Sequence, residues 1–225
     1  TDRGALMPDG GGLYTAARAV WVEGKDDQAV VYALCAAYEL PRIFEVQPRG
    51  GVETLLNGLG LALRGVPIER LGVVVDANGD ADARWSAVAR IARAEGYSGV
   101  PDAPNAGGTI IPGSEALPRL GVWIMPDNRS SGALEDFAAM LVPAADALWV
   151  RAGEAVDSIP EQDRLFSAVR RSKAHVHTWL AWQEQPGSPM GQAIGKGDLD
   201  AHAPAAQRFV AWLRRLMVDD AGANS

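Results

Sequence analysis

The sequence predicts an α/β protein: an open parallel sheet flanked by helices, with a C-terminal helical cap. Two observations carry this. Up to Pro143, apolar runs of strand length alternate with amphipathic runs of helix length, the pattern of successive βαβ crossovers. The strand runs, such as Val73-Val74-Val75, are continuously apolar, as strands covered on both faces are.

Taken in order, the first 15 residues, with the PDGGG run at Pro8–Gly12, have turn composition and read as a flexible lead. AVWVEG, from Ala19 to Gly24, reads as the first strand. A helix follows from about Asp26 to Leu40, its start marked by Asp26 and Asp27 and its end by Pro41. RIFEV, from Arg42 to Val46, is a second strand, and VETLLNGLGLALR from Val52 a second helix. LGVVVDAN from Leu71 is the third strand, and DARWSAVARIARAEG from Asp82 an amphipathic helix closed by Gly96. A Gly/Pro-rich loop from Tyr97 to Arg119 holds the short run TIIPG, read as an edge hairpin. GVWIMPDN from Gly121 is the fourth core strand and ALEDFAAML from Ala133 its helix. The division is a core over residues 16–142 and a helical extension over 143–218. In the extension one helix is expected from Glu161 to Arg171, continuing through KAHVHTWLAWQ, and a terminal one in AAQRFVAWLRRLM.

At 225 residues the chain suffices for one well-buried core with an appended subdomain. Its 48% hydrophobic and 22% charged residues are ordinary for a folded domain. No apolar run is long enough to span a bilayer and no signal-peptide pattern opens the chain, so the expected compartment is the cytoplasm. Cys35 is the one cysteine, which excludes an internal disulfide and a cysteine metal cluster; a small buried hydrophobe is its expected role. A net charge of −7 argues against indiscriminate nucleic-acid binding, although carboxylates that hold a cation count as negative here while being neutralised in a working site.

Three of the strand runs end in acid: Glu23, Asp76 and Asp127. In an open parallel sheet the carboxyl ends of the strands share one edge, where ligands bind, so these carboxylates are expected to converge. Like charges that close raise one another's pKa unless a cation sits among them. Oxygen ligands without His or Cys select magnesium or manganese over zinc, and phosphate is magnesium's usual companion. The competing reading is that each acid merely caps the next helix. Asp80, Asp82, Glu135 and Asp136 are open to both readings, since acids favour a helix N-terminus without touching metal.

VEGKDD from Val22, VVVDANGD from Val73 and GALEDF from Gly132 resemble the Toprim domain of topoisomerases, bacterial primases, OLD-family nucleases and the 5S ribosomal RNA maturation nuclease. With DARWSAV, GVWIMPDN and KAHVHTWLAWQ they resemble, more narrowly, the DUF3226 family of Toprim-like proteins, from about Ala17 to Met217. The resemblance implies a Rossmann-like core, Glu23 as general acid/base or metal ligand, and Asp76 in a paired-aspartate magnesium motif. The second aspartate of that motif falls on Asn78, so either the site binds metal more weakly or Asp80 takes part. OLD-like proteins imply an ATPase partner; this chain itself has no P-loop.

Lys25, beside the glutamate, is placed either on a phosphate or in solvent at a helix start. Arg170, Lys173 and His177 recur at helical spacing and form a basic stripe able to follow a phosphate backbone, or a solvated face. His175 and His177, two apart, face differently and make a poor metal pair. Arg84, Arg90 and Arg93 are expected to be mostly exposed, and the seven Trp are read as core. The expectation is a magnesium- or manganese-dependent Toprim-type nuclease or related phosphodiester-processing protein acting on DNA or RNA. Its alternatives are a catalytically silent binding module of the same fold and a small-molecule phosphohydrolase. A positive rim around the crevice marks the nucleic-acid enzyme; a closed pocket marks the small-molecule enzyme.

Overall fold

The computed structural model describes residues 17–65 and 67–219; the lead expected over residues 1–15 lies outside them. Five strands, β1 Arg18–Val22, β2 Glu45–Pro48, β3 Arg70–Asp76, β4 Thr109–Ile111 and β5 Arg119–Met125, form one sheet in the order β2-β1-β3-β5-β4. β2, β1, β3 and β5 run parallel, and β4 closes the far edge antiparallel to β5. The helices are α1 Lys25–Ala37, α2 Val52–Gly65, α3 Ala81–Ala94, α4 Leu134–Ala139, α5 Ala147–Asp157, α6 Arg171–Leu180, α7 Met190–Lys196 and α8 Pro204–Met217.

The side-chain period of two divides the strands between two cores. Ala19, Trp21, Leu71, Val73, Val75, Val122 and Ile124 face α2 and α3. Val20, Val22, Val74, Trp123 and Met125 face the other way, into a larger core shared with α1 and the helices α4 to α8. Both faces are covered, which is why the strand runs carry no polar alternation. Five tryptophans, Trp21, Trp85, Trp123, Trp179 and Trp212, are fully buried; Trp182, expected in the core with them, is 42% exposed. Among the described residues no helix is long and apolar enough to cross a membrane.

The extension departs from expectation. Residues Glu161–Asp163 and Ala168–Arg170 form two separate 3-10 turns, and the α-helix begins only at Arg171. Leu165 and Val169, whose spacing suggested a helix, stand in solvent at 102% and 74% exposure. Their apolar period has no surface to bury, so it does not stabilise a helix here. α5 and α7 were not anticipated; α5 is capped by Asp146, whose carboxylate accepts from the Trp149 amide at 2.7 Å.

The last turn of α8 docks on the amino ends of the central strands. Gly72 and Gly121 are paired across β3 and β5 and leave a notch filled by Leu216. A Cβ on Gly121 would sit 2.3 Å from Leu216 Cδ2, and one on Gly72 at 3.2 Å. Arg18, Arg70 and Arg119, in register at the starts of β1, β3 and β5, donate to carbonyls in the last turn of the helix and just beyond it. Arg18 reaches Met217 O at 2.6 Å, Arg70 reaches Leu216 O at 3.0 Å and Asp219 O at 2.9 Å, and Arg119 reaches Asp219 O at 3.4 Å. Cations there satisfy otherwise unpaired carbonyls and oppose the negative end of the helix dipole.

At the other edge, β2 offers little to a further strand. Its outward Val46 amide donates to Tyr32 Oη at 3.0 Å, and its carbonyl accepts from Gln28 Nε2 at 2.7 Å, both from α1.

Gly121→Ala forces a methyl into Leu216 and is expected to cost about 1–3 kcal/mol by urea unfolding. Leu216→Ala alone costs about 2–5 kcal/mol, and the double variant falls short of the sum because the added methyl enters the vacated space. Strict additivity would show that the notch is not a packing contact.

Candidate functional site

Strand order β2-β1-β3-β5 reverses direction between β1 and β3, and the crevice at the carboxyl ends of a doubly wound sheet opens at that reversal. A cavity of about 440 Å³ lies there, open to solvent and lined by Glu23 and Asp76 at the two strand ends, the α1 start from Gly24 to Asp27, the Gly50-Gly51 turn, Leu134-Glu135 of α4, and Lys173 of α6.

Glu23 is fixed from several sides. Its Oε1 accepts from the Asp76 amide at 2.9 Å, and the Val52 amide that opens α2 also favours its charged form. Its own carbonyl accepts from the Gly50 and Gly51 amides at 3.0 and 2.9 Å, a double turn in which both glycines adopt positive φ. Burial raises the Glu23 carboxyl above its usual range, opposed by those amides and by the Arg84 guanidinium. Arg84 Nε also donates to Asp76 O at 2.9 Å, tying α3 to the strand end.

The backbone amide of Leu134, at the start of α4, tempers the rise of the Asp76 carboxyl, whose Oδ1 is buried without a hydrogen-bond partner. Burial, then the carboxylates of Glu23, Asp27 and Glu135, push Asp76 up to about 8. Asp27 is buried on the first turn of α1 and accepts from the Gly24 amide at 2.9 Å. Burial, with Glu23 and Glu135 nearby, raises it to about 7. Buried Glu135 is held by Lys173 Nζ at 2.6 Å, an ion pair bringing the C-terminal helices into the crevice. Three helix starts thus face one acidic crevice, that of α1 at Asp27, that of α2 beside Glu23 and that of α4 beside Asp76, and their amides favour the charged carboxylates.

Of the residues singled out from sequence, Glu23, Lys25, Asp76, Glu135 and Lys173 meet at this cavity. Asn78, Asp80, Asp127 and Asp136 do not line it, because each serves its own turn. Exposed Asn78, at φ 53°, exchanges both backbone hydrogen bonds with Gly132 at 2.7 Å. Asp80 caps α3 by accepting from the Ala83 amide at 3.0 Å. Asp127 accepts from the amides of Arg129 and Ser130 and from the Ser130 hydroxyl. Asp136 accepts from the Ala133 amide at 2.8 Å and packs where a Cβ on Gly132 would stand. Helix and turn capping therefore accounts for Asp80, Asp127 and Asp136, and the backbone bridge to Gly132 holds Asn78. Arg170 and His177 are exposed outside the cavity, so of the basic stripe Lys173 alone reaches the crevice.

The sequence reading missed Asp27 and Arg84. Asp27 was taken only as a helix-start marker, yet its spacing of four from Glu23 returns a first-turn side chain toward the strand end. Nothing in the sequence distinguished Arg84 from its exposed neighbours Arg90 and Arg93.

Among the described residues no three His, Cys, Asp or Glu side chains form a ready-made metal cage. The donors still suit a hard cation. Magnesium is commonly held by one or two carboxylates with water and substrate phosphate completing its shell, and the unpartnered Asp76 Oδ1 beside Glu23 is such a donor.

The raised carboxyls set a pH dependence. Asp27 and Asp76 keep protons in the folded chain up to about 7 and about 8, but release them near 3.8 when unfolded. The folded state binds more protons across that window, so stability falls as pH rises through it. The melting temperature of metal-stripped protein is expected to drop between about pH 5 and about pH 8, and Asp76→Asn to flatten the drop. A native melting temperature that stays level or climbs would show that the cluster does not hold these protons.

No curated protein and no solved structure matches the chain. The family model described as "Protein of unknown function (DUF3226)" matches residues 17–218, and the chain belongs to that family.

Proposed function

We propose that the chain is a divalent-metal-dependent, Toprim-type enzyme that processes phosphodiester bonds in nucleic acid. The observation carrying this reading is Asp76 Oδ1, buried and unpartnered beside Glu23 where β1 and β3 part. A buried carboxylate oxygen without a donor is costly, and a cation in the crevice would relieve it. Glu23, Asp76 and one of Asp27 or Glu135 would hold magnesium or manganese, whose chemistry there is to polarise a phosphoryl oxygen and acidify a bound water. Within the chain, Glu23 is oriented by the Asp76 amide and suits proton transfer at the attacking or leaving oxygen. Lys25 and Lys173 stand at the mouth, placed for the non-bridging oxygens of a phosphate.

The crevice is open and carries lysines at its rim, which favours a polymeric substrate over an enclosed small molecule. Asn78 and Asp80, turned into local structure, are not needed for the ion. Asn78→Asp is accordingly expected to leave manganese affinity unchanged in calorimetric titration.

The decisive assay is manganese-dependent cleavage of mixed DNA and RNA substrates. Glu23→Gln and Asp76→Asn are each expected to lower the rate about 100-fold or more while keeping a native-like melting curve. Manganese should raise the melting temperature of the native chain at alkaline pH and fail to do so for Asp76→Asn. Absence of both cleavage and stabilisation would leave the chain a metal-independent binding module.

A further inference from the structure

A second cavity, also about 440 Å³, opens away from the crevice, between the C-terminal half of α1 and the loop entering β2. Its walls are apolar: Cys35 and Ala36 from α1, and Leu40, Pro41 and Phe44 from the loop. Burial pushes the Cys35 thiol up to about 11, so at neutral pH it is an uncharged wall atom that electrophiles alkylate only slowly.

Two polar groups border this apolar space. Arg42 is exposed and, among the described residues, has no side-chain partner. The Tyr32 hydroxyl accepts from the Val46 amide at 3.0 Å, which leaves its own O–H to donate. One cation and one free donor at the lip of an apolar pocket complement an anion that carries an apolar body. Fork-shaped guanidinium favours a carboxylate, which it can meet with two parallel hydrogen bonds.

We propose that this pocket binds an amphipathic monocarboxylate, with its hydrocarbon against Ala36, Leu40 and Phe44 and its carboxylate on Arg42 and the Tyr32 hydroxyl. The site is independent of the crevice, and its occupancy does not require that the crevice be catalytic.

Decanoate, decanol and acetate separate the contributions: tail and charge, tail alone, charge alone. In calorimetric titration of the full chain, decanoate is expected to bind at one site at least about tenfold tighter than either control, the worth of one charge-assisted hydrogen bond. Arg42→Ala removes that advantage, and Arg42→Glu, at an exposed position, transfers the preference to decylammonium. Tyr32→Phe weakens decanoate a few-fold. Ala36→Trp, which fills the pocket, abolishes saturable binding. Should that variant fail to fold, the native chain gives the location: decanoate slows N-ethylmaleimide labelling of Cys35, the one cysteine in the chain. Equal binding of decanoate and decanol, retained binding in a folded Ala36→Trp variant, or Cys35 labelling indifferent to decanoate would each overturn the proposal.

Discussion

The seating of Leu216 between Gly72 and Gly121 is the contact on which the rest of the molecule is hung. Two adjacent central strands give up their side chains at the same level so that a helix from the far end of the sequence can touch the sheet directly. Three in-register arginines then hold the end of that helix by its carbonyls. The start of β1 and the end of α8 meet at the amino edge of the sheet, where packing decides, while the carboxyl edge is left to polar groups. This separation lets the same strands serve stability at one end and an acidic crevice at the other.

That crevice follows a different logic. Gathering Glu23, Asp27, Asp76 and Glu135 in a half-buried space is unfavourable, and the structure offsets it with the first amides of three helices, with Arg84 above Glu23, and with Lys173 on Glu135. The compensation is incomplete, as the upward displacement of Glu23, Asp27 and Asp76 shows. Proton binding is the response of the chain on its own, and under the function proposed above a cation would take that place. Because Lys173 comes from α6, the helices beyond Pro143 belong to the crevice as much as the strands do.

Much of this was legible in the sequence. The β1, β3 and β5 runs were readable because both of their faces are apolar, and Glu23 and Asp76 because topology alone sends the ends of adjacent parallel strands to one place. Asp127 obeyed the same topology but not the same chemistry: two residues past the strand, its carboxylate closes its own turn. Asn78 and Asp80 illustrate why a motif read linearly misleads, since a residue at φ 53° points its successors away from the strand axis. The stretch from Glu161 to Arg171 failed for a different cause: helical spacing of apolar residues signals a helix only where a surface exists to receive them. Lys173 was found as part of a stripe, but its partner Glu135 lies 38 positions earlier, a pairing that local pattern does not encode.

The two bonds from α1 to Val46 make the outer border of the sheet self-contained. A row of open backbone groups is an invitation to any passing extended chain, and here the invitation is withdrawn by two side chains that the sheet's own crossover helix supplies. A neighbouring extended chain would have to displace both of those bonds before it could pair at Val46. Selectivity toward any bound molecule would then be set by side-chain chemistry in a crevice or pocket and not by the generic stickiness of a peptide backbone.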